Sequence, residues 1–399
     1  MVVKERGMQS LDIAVIGAGP VGLSFARSLA GSGLSVLVVD QQPRAQLAEP
    51  AFDGREIALT HASRALLEQL GIWQQFPADA ISPLRDARVM DGHSHFALTF
   101  AASAHGAGDL GWLVPNHLIR RAAWQTVQAQ AALEIRCACT LQAVQQQRDR
   151  VVLQLSDGET VAARLLVAAD SRFSSTRRLL GIGAHLRDFG KTMLVCRMRH
   201  ALPHRHAAWE WFGYGKTLAL LPLQGNRAGA VLTLPPRQVE ALLAMEAAEF
   251  SAAVTEAFEH RLGPMQQDGS RHAYPLVAAY AQRLIAERAA LIGDAAVGMH
   301  PVTAHGFNFG LQSQARLAER VCAAAAAGRD IGDEALLQGY ERAHRLATRP
   351  LYEATNALAA LYTDDRAPAR LLRRGALRAA HAVAPFKQAI AAHLTQRSV

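Results

Sequence analysis

Apolar residues fall along this chain in two textures, short unbroken runs and stripes spaced three or four apart, and their alternation lays out the elements. Residues 13–16 form an unbroken apolar run that reads as a buried strand. A helical pattern follows through Leu29, and Gly31 and Gly33 stop it. A second apolar run, 36–39, ends on Asp40 and closes a β-α-β unit. Residues 56–70 place Leu59, Ala62, Leu66, Leu67 and Leu70 on one side, as a helix does, with Arg55 just ahead. Residues 77–100 are strand-like and loop-rich, 111–114 reads as a short strand and 115–130 as a helix. Residues 135–144 and 150–155 look like antiparallel strands, Asp157-Gly158 marks a turn, and 164–169 is a buried strand ending at Asp170. From Phe189 onward strands dominate, at 193–198, 209–212, 218–221 and 230–234. Trp209 and Trp211 alternate with Glu210, which gives one buried face of a sheet. Residues 240–262 are helical, and 289–292 form one more buried strand ending in Gly293-Asp294. A helix over 308–326 and further helices complete the chain.

Segments of one α/β unit therefore bracket a mostly β insertion. The fold class is α/β: a Rossmann-like dinucleotide-binding domain with a parallel sheet over 8–77, 101–180 and 270–330. A mostly β substrate domain over 78–100 and 181–269 interrupts it, and a C-terminal helical segment covers 331–399. With 399 residues, 50% hydrophobic and 19% charged, the composition is that of an ordinary soluble globular protein. No apolar run reaches membrane-spanning length without a charge or a glycine cluster. Cys137, Cys139, Cys196 and Cys322 form no C-x-x-C; Cys137 and Cys139 sit at strand spacing and would share a face, and a reducing cytoplasm suits all four. The net charge of +8 points to an anionic cofactor, a membrane surface or nucleic acid. The basic residues are scattered until the C-terminus and aromatics make up only 6%, so nucleic acid is not an expected partner.

Three separated segments carry the chemistry. In the first, Gly17, Gly19 and Gly22 are spaced G-x-G-x-x-G between strand and helix. The first glycine allows the tight turn, the second lets a pyrophosphate approach the backbone, and the third lets helix and strand pack closely. Asp40 stands where an acid would bind a ribose hydroxyl. In the second, a buried strand delivers Asp170 to a loop with Ser171, Ser174 and Arg177; an acid and two hydroxyls there also suit plain helix capping. In the third, Gly293-Asp294 ends a strand, His300-Pro301 rigidifies a turn, and Gly306 and Gly310 let the backbone approach a flat ring. Asn308 is placed to cap the following helix, whose positive end suits an anionic reduced flavin. Arg55 either begins a solvated helix or answers an anionic ligand that offsets its conflict with the helix dipole.

GAGPVG, D-S-x-x-S-x-x-R and GDAA…HP…G-x-N-x-G occur in this order, and with them the chain resembles the FAD-dependent aromatic hydroxylases of the para-hydroxybenzoate hydroxylase fold. REIALTHASRALLEQLGIW, LLPL at residues 220–223 and GDAA…MHP…NFGL are most similar to the ubiquinone-biosynthesis hydroxylases, and His305 suggests a subgroup resembling the 5-demethoxyubiquinol hydroxylase type. The resemblance covers residues 11 to about 365. It implies that Gly17, Gly19 and Gly22 hold the FAD pyrophosphate and Asp40 the adenosine ribose. Arg55 would contact the phosphates or ribityl chain, Asp170 would belong to a loop shared by FAD and NAD(P)H, and Asp294 would bind the ribityl chain. Gly306, Phe307 and Asn308 would lie against the isoalloxazine pyrimidine edge. Two residues depart from the pattern. Ser171 replaces the usual glycine, and His305 stands where Gln is common; His305 is either a ring-orienting donor or a packed histidine. His300 and His305 have no cysteine or carboxylate pattern beside them, so no metal is expected.

The implied reaction is flavin reduction by NADH or NADPH, addition of O2 at the flavin C4a, and transfer of one oxygen to an electron-rich polyprenyl phenol or quinol. With no second G-x-G-x-x-G, the reductant would bind transiently. A flavin-dependent reductase or cyclase of isoprenoids, and a non-catalytic flavin-binding subunit of a biosynthetic complex, are the rival readings. In the tail, Arg370, Arg374 and Arg378 recur four apart beside Arg373, and Val383, Phe386, Ile390 and Leu394 recur at helical spacing. That pattern suits either a basic amphipathic helix at the inner membrane surface or a helix packed on the body.

Overall fold

The computed structural model describes residues 9–92, 97–101, 108–213, 215–300 and 306–363. The opening run becomes β1 (Gln9–Ile16), α1 (Pro20–Ser28) and β2 (Val36–Val39). Next come α2 (Arg44–Ala48), β3 (Glu56–Leu59), α3 (His61–Gln69), β4 (Ser82–Leu84), β5 (Asp86–Asp91), β6 (Ala97–Ala101) and β7 (Gly111–Pro115). They lead to α4 (Asn116–Val127), β8 (Leu133–Arg136), β9 (Leu141–Gln146), β10 (Val151–Leu155), β11 (Thr160–Ala168) and α5 (Ser175–Leu179). The long β12 (Ala184–His200) begins a run with β13 (Ala207–Phe212), β14 (Thr217–Pro222), β15 (Arg227–Leu234), α6 (Pro236–Ala244) and α7 (Ala247–Ala257). The chain closes through β16 (Met265–Gln267), β17 (His272–Ala281), β18 (Ile285–Ala286), β19 (Ala289–Leu291), β20 (Val297–Gly298), α8 (Gly306–Ala326) and α9 (Glu334–Thr363).

Among the described residues, the first sheet runs β18-β19-β11-β1-β2-β8, with β10 on β11 and β9 on β10. β1 lies between β11 and β2 and is parallel to both. Its C-terminal half and all of β2 are buried, which is why they read as unbroken apolar runs and do not alternate. α1 packs against α4 and α8. The second sheet runs β20-β17-β12-β15-β14-β13-β5-β6, and a small third sheet runs β3-β7-β4. In the second sheet one face is sealed: Trp209, Trp211, Leu218, Leu220, Leu232 and Leu194 share a core with Val239 of α6 and Phe250 and Val254 of α7. The stretch 272–281, placed by sequence with the dinucleotide unit, pairs here along β12 as β17. No helix among the described residues is long and apolar enough to cross a membrane.

Three local expectations are corrected. Residues 56–70 are a strand and a helix, not one helix. β3 pairs with β7 from Glu56↔Pro115 to Leu59↔Trp112, and Thr60 caps α3 by accepting from the Ser63 N–H. Residues 135–144 are two strands, split where Ala138 takes φ +53°. β8 joins β2 in parallel while β9 pairs with β10, so Cys137 and Cys139 do not share a strand face; all four cysteines are free. Residues 240–262 divide at Met245 into α6 and α7.

Candidate cofactor site

α1 begins with Pro20 in its first turn, and its N-cap, Gly19, offers no side chain. No acid stands in that turn, so the positive end of the helix is left for an outside anion. Gly17 has φ +112°, and a Cβ on it would lie 2.5 Å from the Ala169 carbonyl oxygen. A Cβ on Gly22 would lie 2.0 Å from the Gly17 carbonyl oxygen and 3.2 Å from the Ala169 Cβ. At Gly19 a Cβ would meet nothing within 4 Å among the described residues. Two of the three glycines are thus required by the packing of the turn on the end of β11, and the third faces open space, as close approach of a pyrophosphate demands. The Asp40 carboxylate braces the turn, accepting from the Ala18 N–H at 2.7 Å and the Gln42 N–H at 2.7 Å. The turn therefore fits a dinucleotide.

The three sequence segments meet around Val21. A Cβ on Gly293 would lie 3.2 Å from Val21 Cγ1, and one on Gly310 would lie 2.8 Å from Val21 Cγ2. The Gly293 N–H donates to Ser313 Oγ at 2.9 Å, tying the strand end to α8. Two arginines join the second segment to the third. Arg172 donates to Asp294 Oδ2 at 3.1 Å and to the Val277 carbonyl at 2.7 Å. Buried Arg177 donates to the carbonyls of Ala295 at 3.0 Å and Arg172 at 3.1 Å. Asp170 accepts from the hydroxyls of Ser174 and Ser175 and from the Thr176 N–H, so its carboxylate serves the start of α5. Ser171 takes φ +76°, a conformation that favours glycine and so accounts for glycine being the usual residue there.

Asn308 does not cap α8, which begins at Gly306. It is buried, accepts from the Thr60 N–H at 3.2 Å and donates to the Ala58 carbonyl at 2.8 Å, locking the β3–α3 junction onto α8. No described residue lies within 4 Å of where a Cβ on Gly306 would be, and Phe307 packs against the core around the first sheet. His305 lies outside the described residues.

Arg55 precedes a strand, so it has no helix dipole to oppose. A cluster that the sequence did not reveal holds it instead. Asp53 accepts from Arg55 Nη2 at 2.6 Å and from Asn116 Nδ2 at 2.7 Å, and its carbonyl accepts from the Tyr274 hydroxyl at 2.7 Å. Burial alone would raise the Asp53 carboxyl; Arg55 and Asn116 outweigh it and hold the group below its usual range. Arg120 stands within electrostatic reach of Asp40, Asp53 and Arg55 and donates to Gln42 Oε1 at 2.8 Å. Only the D-G-R turn at 53–55 hinted at this cluster. The other partners come from α4 and β17.

His300 packs edge-on against Phe189, with ring centroids 4.7 Å apart. Burial, with Arg187 and Arg172 adding to it, pushes its imidazole down to about 4, so it is neutral at pH 7. Among the described residues no group of three His, Cys, Asp or Glu side chains is placed to hold a metal ion.

Residues 10–355 match the family described as FAD binding domain. The chain is 45% identical over 388 residues to the ubiquinone hydroxylase UbiM of Neisseria meningitidis, covering 96% of this chain and 84% of that one. It is 37% identical over 382 residues to the ubiquinone hydroxylase UbiL of Rhodospirillum rubrum, covering 96% and 89%. The crystal structure of p-nitrophenol 4-monooxygenase PnpA from Pseudomonas putida superposes with a TM-score of 0.79 at 17% identity, covering 98% of this chain and 100% of that one, and shows the same fold.

Proposed function

The chain belongs to the FAD binding domain family and, within it, to the ubiquinone hydroxylases, and on that premise we propose that it hydroxylates the ring of a polyprenyl phenol or quinol. The observation that carries the reading is that the glycine turn packs on Ala169 at the head of the Asp170 loop while Gly293 and Gly310 close on Val21 and Arg172 reaches Asp294, which brings the three segments together. Bound FAD supplies two-electron reduction by NADH or NADPH and activation of O2. One ring C–H becomes C–OH, and the other oxygen atom leaves as water. The chain's part is to bind and orient. Gly19 and the start of α1 receive the pyrophosphate, Asp40 the adenosine ribose, and Arg55 with Arg120 the remaining phosphate charge. Asp294 receives the ribityl hydroxyls, and Gly306, Phe307 and the start of α8 flank the ring's pyrimidine edge. His305, in the same stretch, is the candidate donor beside the ring. The test is NAD(P)H-dependent O2 uptake stimulated by a polyprenyl phenol, with a product 16 mass units heavier, roughly one oxygen atom. Substrate-independent NAD(P)H oxidation without that product would overturn the reading.

Asp294→Ala is expected to weaken FAD binding far more than Asp170→Ala. One Asp294 oxygen meets Arg172 and the side chain is one-third exposed, leaving acceptor capacity for a ligand. Loss of a partner for a buried donor costs about 1–3 kcal/mol, or roughly 5- to 150-fold in Kd. Asp170 spends its acceptors on α5, so its loss should cost stability. Fluorescence titration of the apoprotein with FAD decides, and equal affinity of wild type and Asp294→Ala would refute the assignment.

The tail from Arg366, outside the described residues, is proposed to hold the enzyme at the inner membrane surface, where a polyprenyl substrate resides. Four arginines at about 1 kcal/mol each would shift vesicle partitioning by about three orders of magnitude at low salt. Replacing Arg370, Arg373, Arg374 and Arg378 with glutamine should abolish cosedimentation with anionic vesicles and leave the flavin spectrum intact. Persistent cosedimentation would assign the tail to the protein body.

A further inference from the structure

Glu210 is an acid that none of the interactions above employs. Because side chains alternate along β13 and its neighbours Trp209 and Trp211 face the α6–α7 core, Glu210 points to the opposite face of the second sheet. Across the ladders its row reads Val89, Glu210, Ala219, Val231, Val195 and His272. At the His272 end the loop that carries Arg55 covers this row. A Cβ on Gly54 would lie 2.8 Å from Val195 Cγ2 and 2.9 Å from His272 Cδ2, and Phe52 packs edge-on against His272. This face therefore turns toward the proposed cofactor groove, with Glu210 three strands, about 14 Å, from Val195.

The face is open where its reverse is sealed. Ala208, Ala219, Leu221 and Val231 are all partly exposed, whereas Trp209, Trp211, Leu218, Leu220 and Leu232 are buried. It is an apolar floor with a carboxyl set in it, and Glu210 has no hydrogen-bond or ion partner among the described residues. An apolar recess with one placed polar group is the usual form of a site for a small aromatic ligand. Burial, unopposed by any cation, pushes the Glu210 carboxyl up to about 8. The charged or titratable groups sharing the face are Asp91 on β5, Arg197 and Arg199 on β12 with their partners Glu56 and Asp268, Arg227 on β15, and His272 and Tyr274 on β17. None of them shifts it.

We propose that Glu210 accepts the hydrogen bond of the substrate's ring hydroxyl over this sheet and takes its proton as the ring is oxidised. The assignment rests on the hydroxylase reading and specifies the residue that meets the ring. In the step, the phenolic O–H bond breaks, its electron pair stays on the ring oxygen and feeds the ring, and the proton passes to a Glu210 oxygen. The oxidant is O2, with NAD(P)H as reductant, as in the proposed reaction. A phenol with a pKa of about 10 is poorly matched to an ordinary carboxylate and much closer to this one.

The test uses the FAD-loaded full chain and 2-prenylphenol carrying one isoprene unit, with its methyl ether as control. Without reductant, wild type should bind the phenol at least about tenfold more tightly than the ether, and Glu210→Leu should lose that preference. In turnover, wild-type kcat/KM should rise with pH through about 8. Glu210→Gln should lack that limb, fall by about a hundredfold at pH 9 and keep its FAD, and Glu210→Asp should restore the limb in part. A glutamine variant that keeps the limb, or a leucine variant that keeps the preference, overturns the assignment while the hydroxylase reading stands. A wild type that prefers the phenol through Glu210 yet never hydroxylates it overturns the hydroxylase reading and leaves Glu210 as a ring-hydroxyl binder.

Discussion

Gly22→Ala is expected to yield little folded protein, whereas Gly19→Ala should fold with wild-type stability and lose FAD. The two substitutions add the same methyl group three residues apart, so their difference isolates its surroundings. At Gly22 the methyl would sit 2.0 Å from the Gly17 carbonyl oxygen, a backbone atom held by β1 and β11. Overpacking a core usually costs about 1–3 kcal/mol, and a contact that deep into repulsion with backbone exceeds the range. The turn, α1 and β11 would all have to move, at the centre of the first core. At Gly19 the backbone is extended, with φ −68°, and none of the described residues lies within 4 Å of the added methyl, so the apoprotein should keep its stability. The methyl enters the space kept for the pyrophosphate. FAD affinity should fall by tenfold or more, about 1.4 kcal/mol. Thermal melts of the apoproteins and FAD titrations separate the effects. A Gly19→Ala protein with wild-type affinity would place the pyrophosphate elsewhere.

The first β-α-β unit was legible because its signals are local. A buried parallel strand, a turn that only glycine can make and a helix start are all written within 30 consecutive residues. The Asp170 and Gly293–Gly310 segments were legible as motifs, but their junction was not. It depends on Val21, Arg172 and Arg177, whose partners lie more than a hundred residues away. Residues 56–70 misled for the same reason. Leu66, Leu67 and Leu70 do lie on a helix or at its end, but Leu59 is pulled into a strand by β7, some fifty residues on, and a lone apolar spacing cannot register that. Beyond the D-G-R turn at 53–55, the cluster of Asp53 and Tyr274 left no pattern, since partners joined across three elements have no spacing to read. Glu210 was visible only as the polar residue between two tryptophans. What it faces follows from the register of five strands.

Arg197→Met is expected to destabilise the protein by about 3–5 kcal/mol, and by more at pH 8 than at pH 5. Glu56 of β3 is buried, its side chain 1% exposed, and its Oε1 accepts from Arg197 Nε at 2.7 Å. Its other oxygen has no hydrogen-bond partner among the described residues. The pair joins the third sheet to β12 beneath the loop that holds Arg55, while the Arg197 guanidinium covers Phe52. Even so, burial raises the Glu56 carboxyl above its ordinary value, with Arg197 opposing and Asp53 adding to the shift. A carboxyl raised on folding binds more protons folded than unfolded. Its contribution is therefore fully present below the unfolded pKa, about 4.5, and is lost as pH climbs through the folded value. Removing Arg197 takes away the main lowering influence, so the folded value rises further and the loss deepens with pH. Glu56→Gln in the same chain should recover much of the loss, because no uncompensated charge then remains buried. Urea unfolding of the single and double variants at pH 5 and pH 8 measures all of this. A loss independent of pH, or a double variant no more stable than Arg197→Met, would show that Arg197 acts through its packing on Phe52 and not through Glu56.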